Sequence, residues 1–464
     1  MSARLTALDA TFLELEQADP GAHMHIGAVM VFAPPAGGGP PSLEEIRHRL
    51  AVRLDALPRF RQRLSSPTVS GTGFPHWEAD PDFDVGHHLR RAALPAPGGT
   101  AELLEWAGDF YSHRLERTRP LWKMVLVEGL EDGRWALCTK THHALVDGIG
   151  SVDAAAVLLD VAPDAPNEGG WHPPPPGRDH PTGLTGAVSG AAHVIRHPRD
   201  AVQRSLALAE LVVREEIVAA PRTSLNTPLR KHRRLATVSL PLEDLKGMKR
   251  AIGGTVNDVV LTAVSGGLRA LLLGRGETPP PGGMRAMVPV NVRDVREGLS
   301  LGNRISSLFV ELPVDEPDAL AAHLRVRAET QRLKHAGQAL GSSTLLELAE
   351  LAPPVLHALL ARSLYGTRLF NITVTNVPGP QAPMYAFGSR LEEAIPLVPL
   401  AAGHARAVAV LSLDGNVTFC LNCDRDAVPD ASVAASGIRA TLDELAVYGT
   451  RQLPEASEAN SPVQ

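Results

Sequence analysis

Two adjacent histidines, followed at fixed spacing by an aspartate and a glycine, are the residues of this chain best suited to chemistry. His142 and His143, with Asp147 and Gly148, form an HHxxxDG motif. A neutral imidazole accepts a proton from a hydroxyl or an amine near neutral pH, so it activates a weak nucleophile without a covalent intermediate. The motif therefore predicts general-base catalysis.

The segments around the motif predict how it is held. Every second residue from Trp135 to Thr141 would lie on one face of a strand, and an apolar stretch at residues 152–161 predicts a short helix. The second histidine then lies where a strand gives way to a loop, which is a common place for catalytic groups. Asp147 would fix the loop through a salt bridge or backbone N–H groups, and Gly148 permits a left-handed turn.

Two other interpretations of the motif remain open. The histidines could be core residues beside a capping aspartate. His142, His143 and Asp147 are also all suitable metal ligands. Adjacent histidines on a strand point to opposite faces, however, so they rarely share one ion. No metal site is therefore predicted.

Blocks of sequence in order along nearly the whole chain resemble bacterial wax ester synthase/acyl-CoA:diacylglycerol acyltransferases. They include residues 5–14, 24–27, 119–122, 127–130, 223–226, 233–234, 255–260, 288–290, 302–306, 376–380, 424 and 428–430. HHxxxDG alone also occurs in chloramphenicol acetyltransferases, condensation domains and polyketide-associated acyltransferases. One departure is Asn291, where many relatives have serine.

The resemblance implies an α/β fold with mixed sheets. Two similar chloramphenicol-acetyltransferase-like domains would be joined by a linker and by a strand that crosses between them. The active-site tunnel would lie at their interface, with acyl-CoA entering from one face and the acceptor from the other. The resemblance also implies that His143 is the general base, while His142 orients the loop or shapes the tunnel.

Direct attack on a thioester creates a tetrahedral oxyanion, which needs preorganised hydrogen-bond donors. Asn257 at the start of a predicted helix is one candidate, although a helix cap is an equally good role for it. Thr373 and Thr375 are further candidates, because alternation places them with Asn371 on one strand face. Asn376, predicted to begin the following loop, is the last candidate.

A chain of 464 residues is too long for one ordinary domain, and two are expected. We predict an N-terminal domain at residues 1–162, a proline-rich and helical linker at 163–234 and a C-terminal domain at 235–453. Residues 454–464 are polar and predict a disordered tail. Ser42 is predicted to cap a helix that runs to residue 57.

Residues 221–234 carry five basic side chains and no acid. A solvated crossover is the simplest interpretation of such a run. The functional alternative is attraction of CoA phosphates or anionic lipid. The candidates for those contacts are Arg230, Lys231, Arg233 and Arg234.

Composition predicts a cytoplasmic protein, and the water-insoluble substrates that the resemblance implies predict peripheral attachment to the inner face of the membrane or to lipid inclusions. Three unevenly spaced cysteines form no disulfide framework, and no secretory signal or apolar window of about 20 residues stands out. The apolar stretch at residues 345–364 predicts a buried helical pair, with a lipid-facing hairpin as the alternative. A net charge of −6 argues against nucleic acid as a partner.

These inferences predict an O-acyltransferase that uses acyl-CoA as co-substrate, without a bound cofactor or metal. The acceptor would be diacylglycerol, a long-chain fatty alcohol or both, and the product triacylglycerol or wax ester. One alternative is a condensation-type enzyme that takes acyl chains from a carrier protein to acylate a specialised lipid. Another is a non-catalytic lipid-binding relative, which the intact His143, Asp147 and Gly148 disfavour.

Overall fold

The computed structural model describes residues 3–5, 7–35, 38–65, 75–146, 158–165, 219–291, 305–339 and 369–451. Over these ranges the chain forms two six-stranded sheets, a small three-stranded sheet and helices that cover the sheets. The predicted α/β class with mixed sheets is confirmed. Asp147, Gly148, most of the linker, the apolar stretch at 345–364 and the tail lie outside the described residues.

The elements fall into two groups along the chain. Those of the first half are β1 (Ala3–Arg4), α1 (Ala7–Ala18), β2 (His25–Phe32), α2 (Leu43–Arg53), β3 (Gln62–Leu64), β4 (His76–Ala79), α3 (Val85–His88), β5 (Leu89–Ala93), α4 (Thr100–Ser112), β6 (Trp122–Glu128) and β7 (Trp135–His142). Those of the second half are β8 (Arg233–Pro241), α5 (Leu242–Ile252), α6 (Val256–Gly274), β9 (Met284–Asn291), β10 (Ile305–Leu312), α7 (Ala319–Ala339), β11 (Ile372–Pro378), β12 (Tyr385–Ala386), β13 (Ser389–Leu397), β14 (Arg406–Leu413), β15 (Asn416–Asp424) and α8 (Ala431–Arg451).

The two large sheets do not divide the chain at one point. The first has the order β12-β13-β2-β7-β6-β5, so two strands from the second half complete the sheet of the first. The second has the order β10-β9-β11-β14-β15-β8 and contains a parallel core of β9, β11 and β14. Strand β13 pairs antiparallel with β2, and through it the two halves share backbone hydrogen bonds.

Strand β7 alternates as the sequence predicts. Trp135 and Leu137 pack into the core on one face of the first sheet. Ala136 and Cys138 pack on the other face, against α4. Cys138, Cys420 and Cys423 are all buried and unpaired, as expected for packing residues.

Two predicted helices differ from the observed ones at their ends. Ser42 and Glu45 form a reciprocal capping box at the start of α2, as expected, but the helix ends at Arg53 and continues as short 3-10 turns. The helix predicted at residues 152–161 lies mostly outside the described ranges. Its last part is not helical, because Asp160 forms an isolated β-bridge with Tyr385.

Helix α6 lies in the core of the second half. Its glycines allow a close helix contact, since α8 passes directly against Gly266 and Gly267. Among the described helices, α6 alone is long and apolar enough to cross a membrane by length and composition. The expectation that no window reaches that length is therefore wrong, but 67% of this window is buried inside the protein.

The contact between α6 and α8 predicts opposite effects of alanine at two helical glycines. A Cβ on Gly267 would lie 2.6 Å from Cγ1 of Ile438 and 2.7 Å from the carbonyl oxygen of Ala434. We expect Gly267→Ala to lower the free energy of unfolding by about 1–3 kcal/mol. The control, Gly247→Ala on α5, meets no atom closer than 3.9 Å, so alanine should stabilise that helix by up to about 1 kcal/mol. Equal melting temperatures for the two variants would contradict this packing.

Candidate active site

A cavity of about 250 Å³ lies between the two large sheets. Strands β2, β6, β7 and β13 line it from the first sheet, and β9, β11 and β14 line it from the second. Most of its lining side chains are apolar. The polar side chains among its lining residues are Lys123, Thr139, Thr141, His143, Thr373 and Thr375.

The register of the first sheet gives the cavity a long apolar wall. Met24 and then Ile26, Ala28 and Met30 of β2 all line it. At about 3.3 Å per residue, this row extends roughly 20 Å. Opposite Ile26 in the register lies Thr141 of β7, immediately before the histidine pair. A long hydrocarbon chain in this cavity would therefore run away from the histidines along β2.

His143 lies at the end of this row. It follows Thr141 on the same face of the chain and is half-buried in the cavity wall. Its backbone N–H donates to the carbonyl oxygen of Met24 at 2.8 Å. Its ring stacks on the ring of Phe12 in α1, with centroids 4.0 Å apart and planes 20° from parallel.

The surroundings of His143 keep its imidazole neutral. Burial lowers its pKa to about 4, and the charge of His142 acts in the same direction. The buried Nδ1 has no hydrogen-bond partner within the part of the chain that the structure describes. At neutral pH the ring is therefore uncharged and can accept a proton at the apolar cavity that His143 lines.

His142 turns away from the cavity and is buried. Its Nδ1 accepts a hydrogen bond from the backbone N–H of Ala144 at 3.0 Å. Its Nε2 lies 3.6 Å from Oε2 of Glu16. These contacts fit the predicted role of orienting the loop and do not fit a role in shaping the tunnel wall.

Glu16 is a functional candidate that the sequence reasoning missed. Besides His142, its carboxylate lies 3.6 Å from Nε2 of His25 and 2.8 Å from the Arg117 guanidinium. Burial raises the pKa of Glu16, but the interactions with His142, His25 and Arg117 outweigh that effect and hold it well below its usual range. The signal that could have identified it is an acidic residue among the apolar positions of α1, a pattern that Glu16 shares with the buried Asp9.

The chain that leaves the histidine motif is anchored at Asp160. Its buried carboxylate is bound by Arg49 at 2.7 Å and by Arg53 at 2.6 Å, both from α2. Its backbone N–H and carbonyl both pair with Tyr385. The residues immediately before it, Leu158 and Leu159, line the cavity.

The four oxyanion candidates lie in different places. Thr373 and Thr375 of β11 line the cavity on the wall formed by the second sheet. Asn376 does not begin a loop as predicted: it lies within β11 and alternates to the opposite face. Asn257 is in the first turn of α6, where Thr255 and Asp258, not Asn257, form the capping box. Neither asparagine is among the described residues that line the cavity.

The basic run is only partly exposed. Arg230, Lys231 and Arg234 are exposed, and Arg230 lies 3.5 Å from Asp426. Arg233 is buried and donates to the carbonyl oxygens of Gly21 and Arg230. Its prediction as a phosphate contact is therefore wrong, because its guanidinium holds the crossover to the end of α1. Across the described ranges, no three His, Cys, Asp or Glu side chains are placed to hold a metal ion.

Comparison with known proteins gives matches over most of the chain. The family model of the wax ester synthase/diacylglycerol acyltransferase catalytic domain matches residues 5–260, and that of the C-terminal domain of the same family matches residues 301–446. Two Mycobacterium tuberculosis proteins named diacylglycerol O-acyltransferases are 34% and 32% identical to it. The alignments cover 97% and 94% of this chain and 96% and 97% of those relatives.

Solved structures give the same result for the fold. The wax ester synthase/diacylglycerol acyltransferase of Marinobacter aquaeolei VT8 is 28% identical, with a TM-score of 0.70 over 97% of this chain and 100% of that one. The starter condensation domain of rhizomide synthetase is 15% identical, with a TM-score of 0.60 over 97% and 94% of the two chains. The second likeness concerns the fold alone. Together they confirm the two-domain organisation that the resemblance implied.

Removing the charge of Glu16 should destabilise the protein in a pH-dependent way. Glu16→Gln leaves His142 and Arg117 without their carboxylate, and we expect the free energy of unfolding to fall by about 3 kcal/mol at pH 7. The pKa of Glu16 is lower in the folded state than in the unfolded state. Its carboxylate therefore stabilises the protein fully at a pH above the unfolded-state pKa, and this stabilisation declines as the pH falls toward the folded-state pKa. The difference in melting temperature between wild type and variant should therefore shrink from pH 7 to pH 3.

The matched control is Glu44→Gln, which removes an exposed carboxylate paired with Arg47 in the neighbouring turn. Exposed pairs of this kind contribute little, so this variant should melt like the wild type at both pH values. A Glu16→Gln variant with the stability of the wild type at pH 7 would contradict the proposed burial of a charged cluster behind the histidines.

Proposed function

Since the chain belongs to the wax ester synthase/diacylglycerol acyltransferase family, we propose that it is an O-acyltransferase using acyl-CoA. It transfers a long-chain acyl group to the hydroxyl of diacylglycerol or of a long-chain fatty alcohol, forming triacylglycerol or wax ester. The single observation that carries this function is the neutral imidazole of His143 at the end of a long apolar cavity.

His143 acts as the general base in this proposal. The unprotonated nitrogen of its neutral imidazole takes the proton of the acceptor hydroxyl as the oxygen attacks the thioester carbonyl carbon. The tetrahedral intermediate collapses, the carbon–sulfur bond breaks, and the CoA thiolate receives the proton from the imidazolium. The products are the ester and free CoA, and the imidazole is again neutral. No covalent acyl-enzyme is required.

Thr373 and Thr375 are our candidates for stabilising the oxyanion. Their strand forms the wall of the second sheet, across the cavity from the first, and both are half-buried among its lining residues. A hydroxyl held on a strand is preorganised, and a donor of this kind gains strength in a dry, apolar site. This proposal gives each sheet one part of the reaction: the base on the first and the donors on the second.

The apolar lining supports substrates with long hydrocarbon chains. Burial of apolar surface provides roughly 25 cal/mol per Å², so binding would rest on the chains and not on charged groups. Acyl-CoA is a co-substrate, and the chemistry requires no bound cofactor. The likeness to condensation domains concerns the fold, and it gives no support to carrier-protein-bound acyl chains as substrates.

We further propose that the enzyme is cytoplasmic and attaches peripherally to the inner face of the membrane or to lipid inclusions. The proposed acceptors and products are insoluble in water, so the enzyme must meet them at an interface. The exposed Arg222, Arg230, Lys231 and Arg234 provide positive charge for anionic lipid or for CoA phosphates. The apolar stretch at residues 345–364 is the second candidate contact.

Replacing the base should abolish turnover without unfolding the protein. We expect His143→Ala to lower the rate of acyl transfer by ~10²–10⁴-fold, as loss of a general base does. The assay follows free CoA released from palmitoyl-CoA with diacylglycerol or hexadecanol as the acceptor. The control, His48→Ala, changes an exposed histidine on α2 and should keep full activity. A folded His143→Ala enzyme with wild-type turnover would rule out this mechanism.

If the basic residues mediate attachment to lipid, that attachment should weaken as the salt concentration rises. Charge attraction is screened by salt, whereas apolar burial is not. We expect the protein to float with anionic vesicles at low salt, and a variant with Arg230, Lys231 and Arg234 changed to glutamine to float less. Flotation that persists at high salt would assign the contact to the apolar stretch. Protein that never floats would contradict peripheral attachment.

A further inference from the structure

Helix α1 contacts both histidines of the motif with one face. Phe12 and Glu16 are four residues apart, so their side chains lie one above the other on the helix. The ring of Phe12 stacks on His143, while the carboxylate of Glu16 lies against His142. One helix face thus reaches both the cavity side and the buried side of the motif.

The position of α1 is itself fixed by arginines from distant parts of the chain. Arg114 donates to the carbonyl oxygens of Glu16 and Asp19, the second at 2.9 Å. Arg117 donates to the carbonyl oxygen of Leu13 at 3.0 Å. Arg233 donates to that of Gly21 just beyond the helix. These contacts leave α1 little freedom to move relative to the histidines.

The backbone of His143 and its ring are held by different neighbours. The backbone N–H donates to the carbonyl oxygen of Met24, and the ring packs flat on the ring of Phe12. The stacked ring of Phe12 is the aromatic contact made by the imidazole. It covers one face of the imidazole and excludes water from that face.

We propose that Phe12 is a positioning residue, whose ring sets the plane of the His143 imidazole and keeps that imidazole dry. The proposal rests on the proposed function of His143 as the base. A base that is rotated away from the acceptor hydroxyl loses the geometry on which proton transfer depends. A base that is exposed to water also becomes easier to protonate, because hydration favours the charged form.

The direct test is a pH titration of His143 by NMR in histidine-labelled protein, with its signal assigned by its loss in His143→Gln. In the wild type the signal should titrate near pH 4. In Phe12→Ala it should titrate about one unit or more closer to the usual histidine value. The titratable groups around the ring are His142 beside it, Glu16 next to His142 and Lys123 in the cavity wall, and none of them is changed.

Turnover of the same variants separates positioning from simple loss of stability. Phe12→Ala should lower kcat by about 10–100-fold. Phe12→Tyr keeps a flat ring and should restore both kcat and the titration. The control is Leu15→Ala on the same helix, which is equally buried in the same core cluster but is not among the described residues that line the cavity. It should lower the melting temperature and leave the titration of His143 unchanged. If Phe12→Ala fails to fold, Phe12→Leu replaces it, keeping apolar bulk without a flat face.

The possible results distinguish this proposal from the proposed function. A Phe12→Ala enzyme with the wild-type titration and kcat would overturn the role of Phe12, even if the wild type is an active acyltransferase. That role would also be overturned if Leu15→Ala shifted the titration as much as Phe12→Ala does. Wild-type protein that releases no CoA with any acceptor would contradict the acyltransferase function, while the NMR titration would still report whether Phe12 shields the imidazole.

Discussion

The burial of one imidazole in an apolar wall is the constraint on which the rest of this structure depends. Burial penalises the charged form of His143, lowering its pKa to about 4, so the ring stays neutral and able to accept a proton. The same apolar wall binds long hydrocarbon chains in the proposed reaction. A charged group in place of the apolar residues around the ring would disturb both the neutrality of the imidazole and the binding of hydrocarbon chains. The chemistry and the binding of lipid therefore require the same low-polarity surroundings.

Charge is nevertheless present immediately behind the wall. Glu16, His142 and His25 form a buried cluster on the side of the motif away from the cavity, and the half-buried Arg117 pairs with Glu16 at its edge. Such a cluster is costly to bury, and it is stable only because its members face one another. Asp160 with Arg49 and Arg53 forms a second buried cluster where the chain returns from the motif. The motif is thus held by polar contacts on its outer side, where Glu16 lies beside His142, while its inner side stays apolar.

How much of this structure can be predicted from the sequence depends on how far apart in the chain the contacting residues lie. Strand β7 and the cap at Ser42 follow from local patterns of spacing and residue type, and the sequence predicts them. Glu16 was missed because its partner, His142, is 126 positions away in the chain, and no local pattern reveals that contact. Arg233 was wrongly predicted to be available for phosphate because it lies in a basic run, but tertiary contacts bury it.

The end of strand β11 is a second feature that local patterns in the sequence do not reveal. Alternation correctly grouped Thr373 with Thr375 on one face, but the end of the strand was placed too early, so Asn376 was assigned to a loop. Pairing with β14 extends the strand to Pro378, and that pairing joins distant parts of the chain. Resemblance to a family supplied what local patterns could not: the arrangement of two halves around one cavity.

The pH dependence of kcat/KM for the wild-type enzyme tests the central claim most directly, because it reports the pKa of the essential base in the free protein. With palmitoyl-CoA and hexadecanol, the account predicts constant kcat/KM from pH 8 down through the usual pKa of histidine, with loss of activity only as the pH approaches about 4. A fall to half-maximal kcat/KM near the usual histidine value, in protein that circular dichroism shows to be folded, would contradict a buried neutral imidazole as the base.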